Sequence, residues 1–161
     1  MSARSLQELA GRCAECFPPP AAPASGEAPP PPVQLMEYAK RGFHLDLSIE
    51  PGQVVQAARL LDEEGFAIDT ITGVDWIKAG QFEVVYDYFH PLQAWRVAVR
   101  ARIGRETPEI PTISTVFPGA NWHERETHDF FGIHFAGHPN LEPLLLPEDA
   151  DYHPLRKDFV A

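Results

Sequence analysis

Between Pro118 and Asp158 the chain gathers most of the side chains that could do chemistry. His123, Glu124, Arg125, Glu126, His128 and Asp129 crowd into little more than two helical turns, and His134 and His138 follow on a loop. A metal site is the first chemistry to test. His123-Glu124 followed by His128 looks superficially like a zinc-protease signature, but that signature needs its histidines four residues apart so that they share one helix face. A spacing of five swings the second imidazole about 140° round the axis, and His134 and His138 add donors without a spacing that makes them converge. Paired carboxylates for acid and base work are the second chemistry, using Glu124, Glu126 and Asp129. Here Arg125 with Asp129, and Glu124 with His128, are four apart, the spacing of ordinary helix-stabilising pairs. No nucleophile motif, phosphate loop or dinucleotide fingerprint accompanies them. Cys13 and Cys16 form a Cys-x-x-Cys pair, half of a tetrahedral metal site. They precede a proline-rich stretch rather than sitting at a strand-to-helix junction, and read as incidental thiols.

Elements must position these residues. Asn121 as cap with Glu124 three residues on, and Gly132 as stop, predict a helix over 121–131. Upstream, Pro51 after Ser48 and Glu50 opens a helix predicted over 51–64, where Val54, Val55, Ala58, Leu60 and Leu61 recur at helical spacing until Gly65. A short strand is predicted over 43–47. Three longer strands follow. Even positions from Phe66 to Trp76 and from Phe82 to Tyr88 are mostly apolar, as are odd positions from Trp95 to Ile103, which alternate with Arg96, Arg100 and Arg102. The expectation is an antiparallel meander with one apolar face and one charged, self-pairing face. The predicted fold class is α+β, a small and mainly antiparallel sheet with helices packed on one face.

The two ends differ from this middle. Ser5 and Glu8 suit a capping box for a short helix over 5–17, and residues 18–32 hold eight prolines among Ala, Ser and Gly, the composition of a linker. Residues 1–32 are therefore expected to lie outside the core, with the α+β domain over 33–136. Residues 137–161 carry Pro139, Pro143, Pro147 and Pro154 and no sustained period, yet Leu141, Leu144, Leu145, Leu146, Leu155 and Phe159 are too apolar for a disordered tail. Such a segment wraps its own domain, straps onto a partner, or both. At 161 residues one domain is expected. A formal charge of −10 disfavours nucleic acid and anionic membrane surfaces as partners. No apolar run is long enough to cross a bilayer, so the protein reads as soluble and cytoplasmic.

Taken in order, Glu124-Arg125-Glu126, Asp129-Phe130-Phe131-Gly132-Ile133, Gly137-His138-Pro139 and Pro154-Leu155-Arg156-Lys157-Asp158-Phe159 resemble the signature of the 30-kilodalton subunit of complex I. Thr72-Gly73-Val74-Asp75 and Pro118-Gly119-Ala120-Asn121-Trp122 extend the likeness, which covers about residues 40–159. The resemblance implies a non-catalytic member of the peripheral arm of NADH:quinone oxidoreductase, with no cofactor of its own. NADH, FMN, iron–sulfur clusters and quinone would belong to partner subunits, and the membrane would be reached only through the complex. Its neighbours would be the hydrogenase-like large subunit, of the 49-kilodalton type, and small iron–sulfur subunits. The motif residues just named, with Glu124, Glu126 and Asp129 expected to receive Arg156 and Lys157 or a basic neighbour, would form the partner-binding region. Glu142-Pro143 after Leu141, and Tyr152 before His153-Pro154, depart from the respiratory pattern. Pro143-Leu144-Leu145-Leu146-Pro147 also resembles the matching subunit of energy-converting membrane hydrogenases, in which the large subunit holds a nickel–iron centre. A different class of reading is a small free-standing metal-binding protein or enzyme using the His and Glu cluster 123–138.

Overall fold

The computed structural model describes residues 5–19 and 31–160. A five-stranded mixed sheet forms the frame: β1 (Val33–Leu35), β2 (Leu45–Ile49), β3 (Ala67–Trp76), β4 (Gln81–Phe89) and β5 (Arg96–Gly104), in spatial order β1-β2-β5-β4-β3. All neighbours are antiparallel except β2 and β5, which run parallel. Helices α1 (Leu6–Cys16), α2 (Tyr38–Arg41), α3 (Val54–Glu63) and α4 (Ala120–Phe131) complete an α+β fold, with a small parallel pair β6 (Glu109–Pro111) and β7 (His134–Ala136) beside α4.

Alternation places the core as the sequence predicts on β4 and β5. Phe82, Val84, Tyr86 and Tyr88 lie beside Val97, Val99, Ala101 and Ile103, joined by Leu45, Leu47 and Ile49 of β2, all buried in one cluster. A period of two puts the charged residues on the opposite face. There Arg100 bonds Asp46 at 2.8 Å, Arg102 bonds Glu83 at 3.2 Å and Arg96 bonds Asp69 at 2.8 Å. Helix α3 follows a capping box between Glu50 and Gln53 across Pro51, and buries Val54, Ala57, Ala58, Leu60 and Leu61.

Strand β3 departs from the expected pattern. Its pairing with β4 slips between Ile68 and Thr70, a bulge centred on Asp69. One extra residue exchanges the faces of everything after it. Ile71, Gly73 and Asp75 therefore turn to the core while Thr72 and Trp76 face solvent, the reverse of the expectation for 70–76.

The N-terminal segment also differs. Ser5 Oγ accepts the Glu8 N–H at 3.2 Å as the capping pattern predicts, but the helix does not lie apart. Leu9, Cys13 and Phe17 are fully buried and belong to the main cluster, and Arg12 of α1 pairs with Glu64 beyond α3. A stripe of residues four apart is the physical reason, since Leu9, Cys13 and Phe17 supply one apolar face that the sheet can cover. Burial, with the neighbouring Cys16 adding to it, pushes the Cys13 thiol up to about 12, which makes it inert. Most of the proline-rich stretch lies outside the described residues.

Candidate functional site

Helix α4 is the centre to which the motif residues attach. It starts at Gly119 without a side-chain cap, so the expected Asn121–Glu124 capping box does not form. Glu124 points inward instead. It is fully buried, with Oε1 accepting the Ile113 N–H at 2.8 Å and Oε2 bonded to the Thr112 hydroxyl. Burial, only partly offset by those two bonds, pushes its carboxyl up to about 7. His138 stands 3.7 Å away with its own side chain buried. Its Nδ1 accepts the Asn140 N–H, so Nε2 carries the proton and donates to the Asn121 carbonyl at 3.2 Å. Burial lowers the His138 pKa, which favours the neutral ring.

The tail is then fastened along α4 by groups from the motif. Asp129 Oδ2 accepts three successive backbone amides, from Leu144, Leu145 and Leu146, at 2.8, 2.7 and 3.1 Å. This is an anion held in a nest of N–H groups. Arg125 donates to the carbonyls of Glu142 and Pro143 at 2.9 and 2.8 Å and lies over the Trp122 ring. Neither residue forms the helical pair expected from its spacing. Farther on, His153 Nδ1 bonds the Asp129 carbonyl at 2.7 Å, the Leu155 N–H donates to the Phe130 carbonyl and Arg156 Nε donates to the Phe131 carbonyl at 2.7 Å. Gly132 makes this closeness possible. Its φ is +72°, and a Cβ there would lie 2.5 Å from both Arg156 Nη2 and His153 Nε2.

Sequence reasoning missed the second anchor. Asp75, turned inward by the β3 bulge and almost fully buried, receives Arg105 through both oxygens at 3.1 Å and the Lys157 N–H at 2.8 Å. Arg105 also reaches Asp158 at 2.5 Å, and that contact holds the Asp158 carboxyl below its usual range. The expected pairing of Arg156 and Lys157 with Glu124, Glu126 and Asp129 is thus replaced. Arg156 finds a helix-end carbonyl, Lys157 contributes its backbone, and Glu124 and Asp129 are taken by Thr112, Ile113 and the tail amides. Gly73 was the available signal for Asp75, because a glycine inside a strand marks a bulge or close approach. A Cβ at Gly73 would meet the Phe131 ring at 2.5 Å.

The remaining motif residues take lesser places. Gly137 adopts a φ of +82° before His138, and Pro139 is exposed while Pro154 is half-buried. Glu126 borders a cleft between α4 and β3, and Phe159 packs against Tyr152 at 5.7 Å. The histidines of the 123–138 segment do not converge: His128 Nδ1 bonds the Ile133 carbonyl and His134 lies 3.9 Å from Glu109. Among the described residues no group of three or more His, Cys, Asp or Glu is placed to hold a metal ion. What the arrangement does chemically is grip, since Glu124, Asp129, Asp75 and Asp158 are each spent on an amide, a hydroxyl or a guanidinium. The gripped tail leaves apolar side chains outward: Trp122, Leu145, Tyr152, Leu155 and Phe159 are 38–59% exposed.

Comparison with known proteins identifies the family. Residues 47–161 match the family described as respiratory-chain NADH dehydrogenase, 30 Kd subunit. The chain is 39% identical over 123 residues to an NADH-quinone oxidoreductase subunit of Roseiflexus castenholzii, covering 72% of this chain and 71% of that one. Against the same NADH-quinone oxidoreductase subunit from Rhodopseudomonas palustris strain TIE-1 the identity is 44% over 124 residues, covering 73% of this chain and 60% of the relative. Among solved structures, a chain of the membrane-bound sulfane sulfur reductase, an archaeal respiratory membrane complex, superposes with a TM-score of 0.74 at 26% identity. That match covers 96% of this chain and 85% of the other. A trypsin-resistant fragment of Nqo5 gives 0.55 at 29% identity, over 60% of this chain and 82% of the fragment.

Proposed function

The chain belongs to the respiratory-chain NADH dehydrogenase 30-kilodalton subunit family, and from that premise we propose that it is a docking subunit seated on a hydrogenase-like large subunit in the peripheral arm of a complex-I-like oxidoreductase. One observation carries the docking role. The tail is bonded to its own domain at Asp129, Phe130, Phe131 and Asp75, yet Trp122 of α4 and Leu145, Tyr152, Leu155 and Phe159 of the tail remain exposed to solvent. Apolar side chains on a tail already bonded in place bind a partner without the cost of ordering a loose segment.

NADH, FMN, iron–sulfur clusters and quinone are assigned in this reading to the partner subunits, and the chain contributes position rather than chemistry. Identities of 39% and 44% to subunits of NADH-quinone oxidoreductases favour the NADH-linked complex. A second reading, a hydrogen- or sulfur-linked relative, is favoured by the superposition over 96% of the chain on a chain of the sulfane sulfur reductase. No helix among the described residues is long and apolar enough to cross a membrane, and both readings assign membrane contact to the complex.

Purification of the tagged chain from its native host tests both readings. The docking role requires a hydrogenase-like large subunit in stoichiometric amount. NADH:quinone activity of the assembly selects the first reading, and its absence together with a hydrogen- or sulfur-linked activity selects the second.

A further inference from the structure

Strand β3 is the outermost strand on its side of the sheet and is ten residues long. Its ladder bonds go to β4. Among the described residues no other backbone-to-backbone hydrogen bond ends on residues 67–76. Among the described residues the only side-chain bond to that backbone is from Thr127 Oγ1 to the Ile71 carbonyl, long at 3.4 Å. An edge of this length presents a row of donors and acceptors ready to pair, and proteins usually blunt such edges with lysine, proline, bulges or brevity. The sequence Ala67–Trp76 has neither lysine nor proline, and its bulge lies at one end, leaving 70–76 regular.

Beside the middle of this edge runs a cleft of about 250 Å³ whose lining includes Ile71, Gly73, Glu126, Phe130 and Leu155. That is smaller than the ~300 Å³ from which small-molecule pockets usually start, and it suits side chains of a bound peptide. Glu126 makes no ion pair among the described residues and the whole chain carries a charge of −10, so the complementary occupant is basic. We propose that a partner subunit adds an extended segment as a sixth strand along Thr70–Asp75, placing an apolar side chain in the cleft and a lysine or arginine against Glu126. This is strand addition to a sheet edge, in which the backbone supplies affinity and the cleft supplies selectivity. It rests on the docking function proposed above.

Amide hydrogen exchange on the isolated full chain and on the purified complex tests it. The expected result is at least about tenfold slower exchange across 70–75 in the complex, reduced again in complex assembled with Glu126→Lys, whose isolated chain exchanges like wild type. Protection at 144–146 and 155–159 with unchanged exchange at 70–75 overturns strand addition while leaving the docking function standing. Unchanged exchange at both segments overturns both. Protection at 70–75 in the isolated chain that grows with its concentration makes a second copy the occupant and also overturns the proposal.

Discussion

Replacing Glu124 with Gln isolates the energetics of the most deeply buried motif residue. Glu124 is fully buried among Thr112, Ile113 and His138, with Tyr86 and Tyr88 nearby in the core and no Lys or Arg bonded to it. Its carboxyl is pushed from 4.5 up to about 7 by burial. The folded state therefore holds this proton more tightly than the unfolded state does. Below pH 4.5 both states are protonated and nothing is lost. As pH rises from 4.5 to 7 the unfolded chain sheds its proton first, so stability falls, and above 7 the loss is constant. A shift of this size corresponds to roughly 3 kcal/mol. Gln cannot ionise, still offers an acceptor to the Ile113 N–H, and its amide can donate to the Thr112 hydroxyl. Denaturant unfolding of wild type and Glu124→Gln, followed by tryptophan fluorescence from pH 5 to 8, should give curves that start near each other or with wild type ahead. By pH 8 the variant should have gained about 2–3 kcal/mol relative to wild type. Asp46 and Asp87, raised mainly by burial, titrate in both proteins and cancel in the difference. A difference that is flat with pH, or that grows in favour of wild type above pH 6, refutes the account of an uncompensated buried carboxylate.

Leu9→Ala should cost about 2–5 kcal/mol, because it opens a cavity in the main core; a thermal melt unchanged from wild type would show that α1 is dispensable. Asp129→Ala strips the acceptor from three tail amides and should accelerate exchange at 144–146 while leaving β4 and β5 protected; loss of protection throughout would mean that the tail is part of the global fold. Gly132→Val forces a side chain against Arg156 and His153 at a φ of +72°, so limited proteolysis should cut the tail after Ala150 in the variant well before wild type. Arg105→Ala removes the clamp between Asp75 and Asp158 and leaves the buried Asp75 carboxylate without its guanidinium, so a thermal melt should show a clearly lower midpoint and residues 157–160 should come free.

Several of these residues were legible in the sequence, and the reasons differ. The β4 and β5 alternation placed the core faces correctly because a half-buried strand has a strict period of two. The same rule failed on β3, since Asp69 sits in a bulge and no propensity marks which residue of Ala67–Thr70 is the extra one. That slip hid Asp75, which looked like surface and is an anchor of the tail. Helix α4 was found to within a residue, but Asn121 and Glu124 imitated a capping box while Glu124 serves Thr112 and Ile113. These are partners a local reading cannot see. Short pieces such as β6 and β7 escaped because three residues carry too little pattern. The N-terminal helix was seen but not its docking, which depends on tertiary contacts of Leu9, Cys13 and Phe17. The motif residues themselves were identified by resemblance, and their bonds to carbonyls and amides became visible only in three dimensions.

The central claim is that the face made by α4 and the clamped tail seats this protein on a hydrogenase-like neighbour. Cross-linking mass spectrometry of the natively purified complex measures that most directly. The account predicts that cross-links from Lys157, and from the tail's acidic residues Glu142, Glu148 and Asp149, fall predominantly on the large subunit. Cross-links to that neighbour arising instead from the arginine-bearing sheet face, with the tail residues linked only within this chain, would contradict it.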